Sequence, residues 1–180
     1  MEEQQVILVD NNDGILGVMG KMEAHQKGVL HRAFSIFIFN NKGEMLLQQR
    51  AADKYHSGGL WTNACCSHPR PGEETIAAAA RRLKEELGFE TPIVKVFDFV
   101  YRVELDNELT EHEFDHVFAG EYNGLVRFNT EEVKDICYRT FDEIRQSLES
   151  SPEKYTEWFR IAFPRIETWW AKRYGKSFKF

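Results

Sequence analysis

The sequence predicts an α+β or α/β sandwich in which a mixed β-sheet lies between helices. Strand-like runs dominate the middle of the chain, turn signals separate them, and helical patterns flank them. In chain order, Val6 to Val9 reads as a short strand. Asn11-Asn12-Asp13-Gly14 then marks a turn before Ile15 to Met19, giving a hairpin. Ala33 to Phe39 is β-branched and aromatic, and Asn40-Asn41-Lys42-Gly43 turns it into Met45 to Gln49, a second hairpin pattern ending in Arg50. From Lys54 to Pro71 the pattern is irregular, with Gly58, Gly59, Pro69 and Pro71 breaking regular structure, so Cys66 and His68 are expected in a loop. Ile76, Ala79, Ala80, Leu83 and Leu87 then follow one face of a helix that Gly88 ends at its C′ position. Ile93 to Val103, Glu111 to Ala119 and the shorter Val133 to Arg139 read as strands. Phe141 to Leu148 and the segment from Glu153 onward read as helices, with Pro164 interrupting the last.

The 180 residues suit one domain, 1–180, with no repeat, low-complexity tract or linker to divide it. A 42% apolar and 29% charged composition is ordinary for a globular protein and excludes wholesale disorder. The net charge of −6 argues against nucleic acid as the main partner, while leaving room for a small phosphorylated substrate held by a local basic patch. Cys65, Cys66 and Cys137 are odd in number, and adjacent Cys65 and Cys66 make poor disulfide partners, so a reducing compartment is expected. The acidic start Met-Glu-Glu-Gln-Gln lacks the order of a signal peptide, and no apolar run approaches the roughly 18 residues of a membrane span. A cytoplasmic protein is expected, as a monomer or weak homodimer without membrane or nucleic-acid partners.

Two short strings hold the candidate chemistry, Cys66-Ser67-His68 and Glu111-His112-Glu113. Each contains a group suited to moving a proton, a thiol in the first and carboxylates in the second, and each contains metal-ligand types. On a strand alternate residues share a face, so Glu111 and Glu113 can reach one ion while His112 points away. Imidazole combined with carboxylate suits a borderline divalent ion such as Zn, Mn or Fe.

The segment from Ser67 to Phe89 resembles a variant Nudix box. The usual pattern sets a Gly ahead of a Glu and then runs Arg-Glu-apolar-x-Glu-Glu-x-Gly-apolar. Glu73, Arg81, Leu83, Glu85, Glu86, Gly88 and Phe89 fit it, while Ser67 stands for the opening Gly and Arg82 for a Glu. Together with Trp61-Thr62-Asn63, Cys66-x-His68-Pro69 and Glu111-x-Glu113, the pattern resembles the type I isopentenyl-diphosphate isomerase branch of the Nudix superfamily, from about Val6 to Trp170. The resemblance implies an α+β, Nudix-like mixed sheet between helices in a single domain. It also implies interconversion of isopentenyl and dimethylallyl diphosphate, with a small prenyl diphosphate as partner.

The resemblance assigns His25, His31, His68, Glu111 and Glu113 to one transition-type ion, and Glu86 to a Mg ion carried with the substrate diphosphate. Glu86 also reads as an ion-pair partner of Arg82, as Glu85 does of Arg81. Lys21, Arg50, Lys54 and Arg82 fit the family's basic residues, which would hold the diphosphate. Cys66 and Glu113 are the implied acid–base pair, with Tyr101 relaying or orienting the proton and Trp158 facing a carbocation. Glu113 with Tyr101 is preferred as donor and Cys66 as acceptor, a direction the sequence leaves open. Alternatively Cys66 is a small buried hydrophobe, Tyr101 a strand packer and Trp158 a core residue. Trp61 reads either as a pocket wall or as packing. His56, His112 and His116 are given no role. The runner-up function is a Nudix pyrophosphohydrolase acting on a nucleoside diphosphate derivative, against which Arg82 counts because it weakens an acidic cation site.

Overall fold

A computed structural model describes residues 4–105 and 107–175, so Met1 to Glu3 of the acidic N-terminus lie outside the described residues. The chain runs β1 (Gln5–Val9), β2 (Ile15–Gly20), α1 (Lys21–Lys27), β3 (His31–Phe39), β4 (Met45–Arg50), β5 (Trp61–Thr62) and β6 (Cys65–Ser67). It continues with α2 (Thr75–Leu87), β7 (Ile93–Glu104), β8 (Thr110–Glu121), β9 (Val133–Arg139), α3 (Phe141–Ser150), a 3₁₀ turn at Pro152–Lys154 and α4 (Glu157–Tyr174). This is the expected α+β arrangement, a mixed sheet with helices on both faces.

β3 is the hub. Along one edge it pairs in parallel with β8, from His31 opposite Glu113 to Phe39 opposite Glu121. Three strands share its other edge: β1 at His31, β6 from Phe34 to Ile36, and β4 at Phe39. The expected hairpin of β3 and β4 is therefore paired only at Phe39–Met45, because β6 occupies the edge that β4 would need. β4 instead pairs antiparallel with β9 and β5, and β7 pairs antiparallel with β8. The turn signals are kept: Asp10 Oδ1 accepts from the Asn12 and Gly14 amides at 2.8 Å each, and Asn40 Oδ1 from those of Lys42 and Glu44 at 3.0 Å each.

The strand period of two sorts the core. Phe37, Phe39, Val117, Ala119 and Phe99 face α3 and α4, where Ile144, Phe159, Phe163 and Ile166 meet them. Phe34, Ile36, Ile38 and Phe118 face the other way, against Ala78, Ala79, Leu83 and Leu87 of α2. Buried on both faces, β3 reads as a nearly continuous apolar run, as a sheet-centre strand does.

Four details depart from expectation. Cys66 sits on the short strand β6, not in a loop, because its backbone pairs with Ser35. The buried face of α2 is Ala78, Ala79, Leu83, Glu86 and Leu87, while Ile76 is 47% exposed and Ala80 half-buried. Glu86 takes a core-facing place because Arg82 and Gln48 hydrogen-bond its carboxylate. α4 runs through Pro164 without interruption, since Pro164 and Arg160, whose carbonyl loses its partner, are both exposed to water. Finally α1 carries no marked periodicity, although Gly28 caps it in the left-handed conformation.

Gly88 closes α2 at φ 74°, and a Cβ there would lie 2.3 Å from the Arg127 carbonyl oxygen. Gly88→Ala is expected to cost at least about 1–3 kcal/mol in urea unfolding. Removing the Thr140–Glu143 capping box of α3 by Thr140→Ala is expected to cost about 1 kcal/mol.

Candidate active site

The parity that builds the core also builds the site. On β8 the residues in phase with Val117 and Ala119 are Asp115, Glu113 and Glu111, so one sheet face turns from apolar to acidic along a single strand. The register sets Tyr101 of β7, Glu113 of β8 and His31 of β3 in one row. A cavity of about 240 Å³ opens over this face, lined among others by Lys21, Arg50, Cys66, Glu86, Tyr101 and Trp158. Lys54, His68, Arg82, Glu111 and Glu113 line it too, whereas His25 and His31 lie beneath, fully buried. Trp61 packs against the core and is not among the residues that line the cavity.

α1 supplies Lys21 and His25 from one helix face, four residues apart. His25 Nδ1 donates to the Lys21 carbonyl at 2.7 Å and His31 Nδ1 to the Val29 carbonyl at 2.8 Å. A carbonyl only accepts, so each Nδ1 carries a proton, and each Nε2 points inward at the carboxylates. His25 Nε2 lies 3.4 Å from Glu111 and His31 Nε2 3.6 Å from Glu113, while His68 Nε2 is 2.8 Å from Glu113. Tyr101 donates to the second oxygen of Glu113 at 2.6 Å. Burial opposes ionisation of Glu113, but His31 and His68 hold its carboxyl well below the usual range. Burial and the charge of Glu113 both push Glu111 up, and His25 and His56 outweigh them. Burial, with Glu113 alongside, drives the Tyr101 hydroxyl well above its ordinary pKa.

The thiol is held from three sides. Cys66 donates to Asn63 Oδ1 at 3.1 Å, accepts from Trp158 Nε1 at 3.2 Å and sits 3.5 Å from Ser35 Oγ. Asn63 is fixed by donating to the carbonyls of Ile36 and Cys65 at 3.0 Å each. Burial, and then the nearby Asp115, push the Cys66 thiol up to about 12, so it rests protonated at neutral pH. Asp115 is driven well above its normal range by burial and Glu113, and it accepts from Ser35 at 2.7 Å.

All four basic residues named from the sequence line the same cavity. Burial, followed by repulsion from Lys54, lowers Lys21 to about 8. Arg82 donates to Glu86 at 2.6 Å and lies 3.3 Å from Glu132, which also pairs with Lys54. The Nε groups of Arg50 and Arg82 are buried without a hydrogen-bond acceptor among the described residues. Arg81 bridges Glu73 and Glu85, so Glu85 takes the ion-pair reading.

A NUDIX domain model matches residues 29–159. The Isopentenyl-diphosphate Delta-isomerase of Pectobacterium atrosepticum is 51% identical over 166 residues, covering 92% of this chain and 93% of that protein. The chain belongs to the isopentenyl-diphosphate Delta-isomerase branch of the Nudix family. A second member of the branch, Isopentenyl-diphosphate Delta-isomerase 2 of Photorhabdus laumondii, is 48% identical, covering 93% of this chain and 97% of its own. The Nudix fold extends further: a Deinococcus radiodurans protein, DR0079, superposes with a TM-score of 0.76 over 90% of this chain and 98% of its own at 16% identity. The MutT protein of Methanosarcina mazei does so with a TM-score of 0.63 over 77% and 94% at 20% identity. Lys21 and His25 lie ahead of the segment that the Nudix domain model matches, yet they join its site.

The Nudix site fits a metal ion. His25, His31, His68 and Glu113 bring ligand atoms within 4.8 Å of one another, and so do His25, His56 and Glu111. His25 Nε2, His31 Nε2, His68 Nδ1 and Glu111 Oε2 are buried without hydrogen-bond partners, an arrangement too costly to keep unless another group satisfies them. The sequence reading overlooked His56, and a lone His in an irregular loop carries no spacing signal. It overlooked Asp115 as well, although Asp115 continues the Glu111–Glu113 alternation that was already in view. Glu132 and Asn63 carried no separable signal. His112 and His116 stay outside the cluster, bonded to the Gly28 carbonyl and to Asp13.

Chelator-treated protein is expected to gain about 2.7 kcal/mol of stability when Zn²⁺ is added at a hundred times its dissociation constant. Thermal unfolding with and without the ion measures this, and an unchanged Tm contradicts the cluster's role.

Proposed function

We propose that this chain interconverts isopentenyl diphosphate and dimethylallyl diphosphate, moving the double bond by one position. The observation that carries this reading is the sharing of one cavity by the thiol of Cys66 and the carboxylate of Glu113, which arrive on strands flanking β3 from its two edges. Isomerisation adds a proton to the terminal carbon of the substrate double bond and removes another two carbons away, through a tertiary carbocation. It therefore needs one acid, one base and little water.

In the direction that forms dimethylallyl diphosphate, Glu113 with its hydrogen-bonded Tyr101 gives the proton and Cys66 takes one. The resting pair, a thiol and a carboxylate, is the state that this step leaves behind. It is thus poised for the reverse direction, with Cys66 giving and Glu113 taking. A proton returns from Cys66 to the Glu113–Tyr101 pair before the next forward cycle. Trp158, buried against Cys66, offers its indole face to the cation, worth about 0.5–2 kcal/mol. Lys21, Arg50, Lys54 and Arg82 hold the diphosphate, and Glu86 would hold a Mg ion carried with it. His25, His31, His68, Glu111 and Glu113 would hold one transition-type ion (Mn, Zn or Fe), which would supply a positive charge beside the Glu113 carboxylate. The lining residues run from Gln4 to Trp158, which supports a single catalytic unit spanning 1–180, and a monomer or weak homodimer is part of the proposal. The free thiols of Cys65, Cys66 and Cys137 support a cytoplasmic setting. No helix among the described residues is long and apolar enough to cross a membrane.

In deuterated water the protein is expected to form dimethylallyl diphosphate carrying deuterium. Release of phosphate or pyrophosphate without isomer would instead favour a hydrolase. Cys66→Ala and Glu113→Gln are each expected to lower kcat by roughly 10²–10⁴-fold with the fold retained. Lys21 carries charge below about pH 8 and loses it above. The KM for isopentenyl diphosphate is therefore expected to rise several-fold between pH 7 and 9, and Lys21→Met to remove that rise.

A further inference from the structure

His56 lies in the loop between β4 and β5, outside every ligand position that the family resemblance supplies. It is 6% exposed and lines the cavity. Its ring shares the posture of His25 and His31. Nδ1 points outward to a group able to accept, Ser57 Oγ at 3.2 Å, while Nε2 points into the cluster and finds no hydrogen bond. Yet Nε2 sits only 2.8 Å from Glu111 Oε1. Such a close approach without hydrogen-bond alignment is what two neighbouring ligands of one ion show, since donors 2.0–2.2 Å from a metal and at right angles lie about 3 Å apart. The outward Nδ1–H partner is the usual device that fixes the tautomer and aim of a ligating imidazole.

The ligand groups divide into His25, His31, His68 and Glu113, and His25, His56 and Glu111. They share His25, whose Nδ1 is committed to the Lys21 carbonyl, leaving one nitrogen for a metal. One nitrogen serves one ion, so both groups belong to a single centre. We propose that His56 is a sixth protein ligand of that ion, completing a set of four imidazoles and two carboxylates. This rests on the metal site proposed above and deepens it.

Such an ion has every position filled by protein. Catalytic zinc sites that activate water keep a position open, whereas structural ones are closed. A closed shell makes the ion a fixed charge that holds Glu111 and Glu113 in place, with no seat for a hydroxide. It thereby suppresses hydrolysis of the diphosphate bound beside it. The ring of His56 also lies 5.7 Å from that of Trp158, and Arg50 donates to the His56 carbonyl at 3.3 Å, so the ion would anchor the loop that carries both contacts.

X-ray absorption on the full chain loaded with one equivalent of Zn²⁺ tests this by counting imidazoles. Four in the wild-type protein and three in His56→Gln are expected. Gln keeps a polar side chain that can still hydrogen-bond Glu111, so a merely positioning His56 would leave the count unchanged. Three imidazoles in the wild-type protein overturn the proposal whether or not the variant folds, and so does an unchanged count in the variant. A wild-type chain that retains no Zn²⁺ at this cluster overturns the metal reading itself, and the place of His56 with it.

Discussion

Two carboxylates on one strand, Glu111 and Glu113, are only 3% and 8% exposed, and the rest of the site follows from the cost of burying them together. A buried charge without compensation costs several kcal/mol. The compensation converges from four elements and the loop after β4: His25 from α1, His31 from β3, His56 from the loop, His68 just past β6 and Tyr101 from β7, all around β8. Without such partners the carboxyls would be pushed up, as Asp115 is two residues further along with only Ser35 beside it. The same strand face therefore holds a pair whose ionisation is favoured and an acid whose ionisation is opposed, distinguished by their neighbours.

Much of this was legible in the sequence. Period-two patterning and Asn/Gly turn signals located most strands, and Gly88 located the end of the Nudix helix. The alternation Glu111-x-Glu113 announced a shared face, and the variant box carried the family. What stayed hidden depended on partners distant along the chain. The separation of β3 from β4 is decided by β6 taking an edge position, and β6 is three residues long with no pattern of its own. α1 is seven residues long, too short for periodicity to speak. His56 owes its place to the Glu111 carboxylate, brought to it by the sheet and not by any spacing.

The Nudix helix illustrates how one substitution redirects a scaffold. Arg82 stands where the family pattern has a glutamate, and its guanidinium engages Glu85, Glu86 and Glu132 at once. Acidic groups that would otherwise collect cations are partly neutralised. The arginine also leaves a buried Nε without an acceptor, available to a phosphate oxygen. The helix thus favours holding a diphosphate over cutting it.

The indole N–H of Trp158 rests on the sulfur of Cys66, and α4 is the roof over that sulfur. A donor aimed at sulfur stabilises its anion more than its neutral form. The acidity of the thiol is therefore tied to the seating of the roof: raise α4 by an ångström or two and the sulfur loses the donor that makes losing its proton less costly. The proton on the sulfur and the sealing of the chamber are thereby coupled: a thiolate formed under a seated roof keeps the indole donor, and one formed under a raised roof does not.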